Sequence, residues 1–144
     1  MKTIALRFGE HFAPPCGTIA AHQAIIEDKG YVWYGELGNT VSDKNVSAIM
    51  SAEKPRILLI NSGKPDRYWA NIAEIRKTTP DLDGIPEYYR DNVSKFKTWF
   101  KVLSFEPAPK NIMSQCFVAS SGTPLGEVSK HSMSPYFIIE YKAD

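Results

Sequence analysis

The chain has 144 residues, room for one ordinary domain with its own core and too few for two. Apolar residues make up 43% and charged residues 23%, the balance of a globular protein rather than a disordered or fibrous one. A net charge of +1 excludes a strong global attraction to polyanions, though not a local basic patch, and Cys16 and Cys116, outside any CxxC pair, exclude a disulfide scaffold and a structural zinc site.

The opening residues hold no apolar stretch of signal-peptide type, and no run reaches membrane-spanning length, so the cytoplasm is the expected compartment. Thr3 to Phe8 alternates as a strand with Ile4, Leu6 and Phe8 on one face. A loop with paired prolines follows, and Thr18 is the predicted N-cap of a helix over Ile19 to Asp28. Tyr31 to Leu37 is the next strand: Tyr31, Trp33 and Gly35 share one face, and Val32, Tyr34 and Glu36 the other. Gly35 inside it marks a bulge or a close approach by another group. Ser42 caps a second helix from Asp43 to about Ala52, closed by Pro55.

The stretch from Pro55 to Arg76 is the expected spine. Arg56 to Ile60 is a short branched apolar run, the signature of a buried strand. Asn61 to Asp66 is rich in turn formers, and Tyr68 to Ile75 forms the second strand of a hairpin. One face of that strand carries Trp69, Asn71, Ala73 and Ile75; the other carries Tyr68, Ala70, Ile72 and Glu74. The polar excursion from Lys77 to Lys95 is broken by Pro80, Gly84 and Pro86, with one helical turn expected at Glu87 to Asp91. A strand over Thr98 to Glu106 returns, with Trp99, Lys101, Leu103 and Phe105 opposing Phe100, Val102 and Ser104. Short pieces follow: a helix at Lys110 to Met113, a strand at Gln115 to Ala119, a turn at Glu127 to Met133 and a last strand at Tyr136 to Tyr141. The order of strands and helices is not a regular βαβ alternation. It predicts one α+β domain over residues 1–144, with a bent, barrel-like mixed sheet of about six or seven strands and two or more flanking helices.

No phosphate-binding, metalloprotease or nucleophile-elbow motif is present, and His11, His22 and His131 are not spaced as metal ligands. No metal and no cofactor is expected. Cys16, near a helix N-terminus, with His11 or His22 as base, is the one candidate for covalent chemistry; the same thiol reads as a small buried residue in a proline-rich corner. The serine-rich stretches at Ser120–Gly122 and Ser129–Ser134 read as capping and turn chemistry or as a polar pocket. The aromatic pairs carry more. Trp33 and Tyr34, Tyr68 and Trp69, and Trp99 and Phe100 all fall near strand ends. If those ends converge, at least two of Trp33, Tyr34, Trp69 and Trp99 line one pocket for a planar ligand, with Asn61 or Ser62 at its edge. If they do not, the rings are core.

Trp33-Tyr-Gly35 on a strand, then a helix, then the apolar strand and turn ILLINSGK, then Trp69-Ala-x-Ile72 on a strand, resembles the EVE branch of the PUA-like superfamily over roughly residues 31 to 75. The resemblance implies a bent, barrel-like sheet and an aromatic pocket that takes a nucleobase, often a modified one, from nucleic acid. For a module that binds a base, stacking is expected from Trp33, Tyr34, Trp69 or Trp99, with Tyr68 a further ligand-binding candidate. Asn39, Asn61, Ser62 or Asn71 would read the base edge, and Lys64, Arg67, Arg76, Lys77 and Arg90 would contact phosphate. The N-terminal strand and helix, the near-neutral charge and the Lys77–Lys95 excursion depart from the pattern. Two other functions compete: a pocket for a free nucleotide or similar small molecule, as in a sensor or sponge, and a small enzyme using Cys16 and His11.

Overall fold

Ile57, Leu58, Leu59 and Ile60 are all buried, so both faces of their strand are covered and it belongs in the middle of a sheet. The computed structural model, which describes residues 1–9, 13–61 and 64–143, puts it there. The elements are β1 (Lys2–Phe8), α1 (Thr18–Lys29), β2 (Val32–Glu36), α2 (Asp43–Met50), β3 (Arg56–Asn61), β4 (Arg67–Arg76), β5 (Thr98–Pro107), β6 (Cys116–Val118), α3 (Leu125–His131) and β7 (Tyr136–Tyr141). Short 3-10 helices lie at Leu82–Gly84, Glu87–Lys95 and Ile112–Gln115. Among the described residues, seven strands form one mixed sheet in the order β2-β5-β4-β3-β1-β7-β6, an α+β fold. β1 and β3 run parallel; the other neighbours are antiparallel. The hairpin of β3 and β4 is central, with Leu58 opposite Trp69.

The caps follow local chemistry. Ser42 Oγ accepts the Asn45 backbone N–H at 3.2 Å and starts α2 as expected. For α1 the cap moves one residue. Gly17, with φ 94°, makes a turn that side chains resist and takes the N-cap position, leaving Thr18 as the first helical residue. The Thr18 hydroxyl instead donates to the Gly9 carbonyl at 3.1 Å.

The ladder between β4 and β5 slips twice. Leu103 of β5 is passed over between Ser104 and Val102, and Ala73 of β4 between Ile72 and Glu74. Each extra residue bends its strand and flips the alternation. Tyr68, Ala70, Ile72 and Ile75 therefore pack into one cluster, as do Phe100, Val102 and Phe105. This corrects the strict two-residue reading, which set Ile75 with Trp69 and Phe105 with Trp99.

The double bulge also explains the curl of the sheet. β2 is the first strand in order and β1 the fifth, yet Val32 and Tyr34 share a core cluster with Ile4, Leu6 and Phe8, filled in by α1 and α2. Among the described residues no ladder joins β2 to β1, so the sheet curls without closing into a barrel. The opposite face packs Leu58, Ile60, Trp69, Phe137 and Ile139 against Ile112 and Leu125. A third cluster joins Trp33 and Trp99 to Ile85 and Tyr89 of the excursion.

Candidate functional site

Trp33, Trp69 and Trp99 are at most 4% exposed; Trp33 and Trp99 meet in one buried cluster and Trp69 lies in another. Trp33 and Trp99 are sealed by residues of the excursion, where Gly84 comes close against Trp33. Trp69 packs on the other face, 5.2 Å from Tyr141 between ring centres, with the Arg56 guanidinium 4.0 Å above it. Tyr68 packs on Phe8 at 6.4 Å. The polar candidates are dispersed as well. Asn61 closes the β3–β4 turn through its N–H to the Asp66 carbonyl at 3.1 Å, Asn71 donates to Ser104 Oγ at 2.9 Å, and Asn39 is exposed beyond β2. Ser62 and His11 lie outside the described residues. Lys64 is exposed in the turn and Arg67 half-buried at the start of β4. Arg76 is bridged to Glu74 at 2.9 Å and lies 4.7 Å over Trp33; Lys77 pairs with Asp43; Arg90 donates weakly to the Leu82 carbonyl at 3.5 Å. Cys16 is exposed.

What the fold does build is a cavity of about 470 Å³ in the seam where β2 fails to pair with β1. That volume is within the usual range for small-ligand sites. Leu6 and Phe8 supply one wall, Tyr34 and Glu36 another, and Tyr88 and Tyr89 of the excursion, with Phe96 just after it, the third. Tyr34 is the one expected stacking residue that lines it. The third wall depends on Gly35. A β-carbon there would fall 2.7 Å from Phe96 Cδ1 and 3.0 Å from Trp99 Cζ3, so only glycine lets the Phe96 ring rest on β2. Phe96 stacks on Tyr89 at 4.6 Å, and Tyr88 meets Tyr89 edge-on at 4.8 Å. Burial pushes the Tyr89 phenol well above its ordinary pKa; the neighbouring Tyr34 and Tyr88 add to this, and a hydrogen bond from the Gly35 backbone opposes it.

Glu36 is the polar feature of the wall. It is 5% exposed, and its Oε1 accepts the Gly38 backbone N–H. Its Oε2 has no hydrogen-bond partner among the described residues. Burial raises the pKa of this carboxyl, and the Gly38 bond opposes the rise only in part. Pro135 lies against Gly38, and the Tyr136 phenol is raised by its own burial and by the Glu36 charge. Behind the aromatic wall, His22 of α1 is fully buried. Its Nδ1 donates to the Thr18 carbonyl at 2.8 Å, and its ring lies 5.1 Å from Tyr34 and 5.3 Å from Tyr89. Burial lowers its pKa to about 4, so the imidazole is neutral near pH 7.

A family model described as Pua-like matches residues 4–137, nearly the whole chain. The chain belongs to the Pua-like family. The curled mixed sheet with flanking helices is consistent with that membership. No curated protein and no solved structure matches this Pua-like chain significantly. No helix among the described residues is long and apolar enough to cross a membrane. Among the cavity residues that sequence reasoning left out as site residues are Glu36, Tyr88, Tyr89 and Phe96. For Glu36 a signal existed, an acidic residue on the same strand face as Val32 and Tyr34. For the other three, only the fold reveals that the excursion wraps back onto β2.

Proposed function

We propose that this Pua-like chain, read as a single domain, is a nucleic-acid-binding module that holds one unstacked base in the seam cavity. The observation that carries the reading is the pairing of aromatic walls, Tyr34, Tyr88 and Phe96, with a buried carboxyl whose Oε2 has no partner among the described residues. Rings of this kind stack on any base, and a free acceptor oxygen takes a hydrogen bond from an N–H on the base edge. Family membership supports a nucleic-acid partner, since domains of this kind generally bind nucleic acids. The EVE resemblance points the same way. Lys95 at the rim and the adjacent Lys97, both exposed, are placed to meet the phosphates on either side of the base. Lys64, Arg67, Arg76, Lys77 and Arg90 are not among the cavity-lining residues.

The test is fluorescence anisotropy with labelled single-stranded RNA and DNA over a salt series. Binding that weakens with salt, and that loses about 1–3 kcal/mol in Tyr88→Ala, is the expected result. Unchanged affinity in Tyr88→Ala removes the cavity from the reading. Salt-independent binding of a mononucleotide, with no affinity for either strand, selects the free-nucleotide pocket instead.

A further inference from the structure

We propose that the base held in this cavity carries a positive charge, as an N-alkylated cationic nucleobase such as 1-methyladenine or 7-methylguanine does. The inference rests on the base-binding reading and adds the charge of the ligand. It follows from what surrounds Glu36. The carboxyl is 5% exposed, one oxygen is held by the Gly38 N–H, and the other has no partner among the described residues. No cation among the described residues lies within ion-pair distance of it. Arg7 lines the same cavity, but its guanidinium is turned to carbonyls in the last turn of α3 and just after it: Nε donates to Ser134 O at 2.9 Å, and Nη2 to Ser129 O and Ser132 O, each at 2.6 Å. Lys95 and Lys97 are exposed, and the group facing Glu36 from β7 is the phenol of Tyr136.

The remaining walls have the same electrostatic sense. Tyr34, Tyr88, Tyr89 and Phe96 are aromatic, and the face of an aromatic ring attracts cations. Four aromatic rings in the walls and one buried carboxyl with no cation within ion-pair distance among the described residues favour a positive occupant over a neutral one of the same shape. A neutral base would stack equally well but leave the carboxyl without a counterion. An alkylated base supplies the charge and keeps an amino or ring N–H group that donates to Oε2. The size of the cavity, about 470 Å³, suits a planar base better than a compact alkylammonium group.

Isothermal titration calorimetry on the full chain tests this with four nucleosides: 1-methyladenosine, 7-methylguanosine, adenosine and guanosine. The expected result is binding of each cationic nucleoside at least about tenfold tighter than its parent. In Glu36→Gln that preference falls to within about threefold, while Tyr88→Leu weakens cation and parent alike. If Glu36→Gln does not fold, the wild-type ratios alone decide. Equal affinities for cation and parent overturn the charge and leave the base-binding reading in place. Binding of a trimethyllysine peptide with no binding of any nucleoside overturns both.

Discussion

Replacing Gly35 with alanine tests whether the aromatic wall is held by a close contact rather than by the excursion's own preference. The new β-carbon would lie 2.7 and 2.8 Å from Phe96 Cδ1 and Cγ and 3.0 Å from Trp99 Cζ3. Trp99 is fully buried and has no room to retreat, so the strain falls on Phe96. Overpacking of this size costs about 1–3 kcal/mol. The better strand preference of alanine returns roughly 0.5–1 kcal/mol. The net loss is up to about 2.5 kcal/mol, centred near about 1 kcal/mol, which for a chain of this length lowers the melting temperature by up to about 10 °C. Because Phe96 stacks on Tyr89, its displacement also reshapes the cavity, and oligonucleotide affinity falls with stability. Gly126→Ala is the control. A β-carbon there meets only Met113 Cβ at an ordinary 3.5 Å, and within α3 the change stabilises by up to about 1 kcal/mol. Differential scanning calorimetry with anisotropy on the same samples reads both effects. A Gly35→Ala protein as stable as the wild type, with unchanged binding, would refute the wedge between β2 and Phe96.

Trp69→Ala removes a core ring on the face away from the cavity, so denaturant titration should show a loss of about 3–5 kcal/mol, with oligonucleotide affinity of the folded fraction unchanged. His22 is buried and neutral, so the unfolded chain takes up its proton first on acidification. Between its ordinary value of 6.5 and its folded value of about 4, stability falls by roughly 3 kcal/mol, and His22→Leu should flatten urea-unfolding curves across that window. Glu36 has the opposite sense. Burial raises its pKa, so its contribution is full below about pH 4.5 and declines as pH rises through the folded pKa; Glu36→Gln should gain on the wild type toward neutral pH in the same assay.

The fold was readable where one local pattern dominates. Arg56–Ile60 is a branched apolar run and Tyr68–Ile75 follows a dense turn, and both became the central strands. Ser42 had the right chemistry for its cap and used it. The faces of β4 and β5 were readable only as far as Ala73 and Leu103, because a period of two carries no mark of an extra residue that the partner strand skips. The site was less readable for a related reason. Tyr34 and Phe8 lie on strands four places apart in the sheet and meet through its curl, which those same bulges produce. Tyr88 and Tyr89 are adjacent in the sequence, but their position depends on a wrap around Gly35 that involves residues about 50 apart in the chain. A large ring near a strand end has the same sequence signature in a core as in a cage, so the sequence left both places open for the tryptophans.

The central claim is that the seam cavity is where the ligand sits, and backbone amide shifts measure that directly. In ¹⁵N-labelled protein titrated with a single-stranded oligonucleotide, the largest changes should fall on Gly35, Glu36, Gly38, Asn92 and Phe96, around the cavity wall. Changes centred instead on Trp69, Leu125 and Tyr141 of the opposite face, or on the separate cleft beside Asp83 and Arg90, would contradict it.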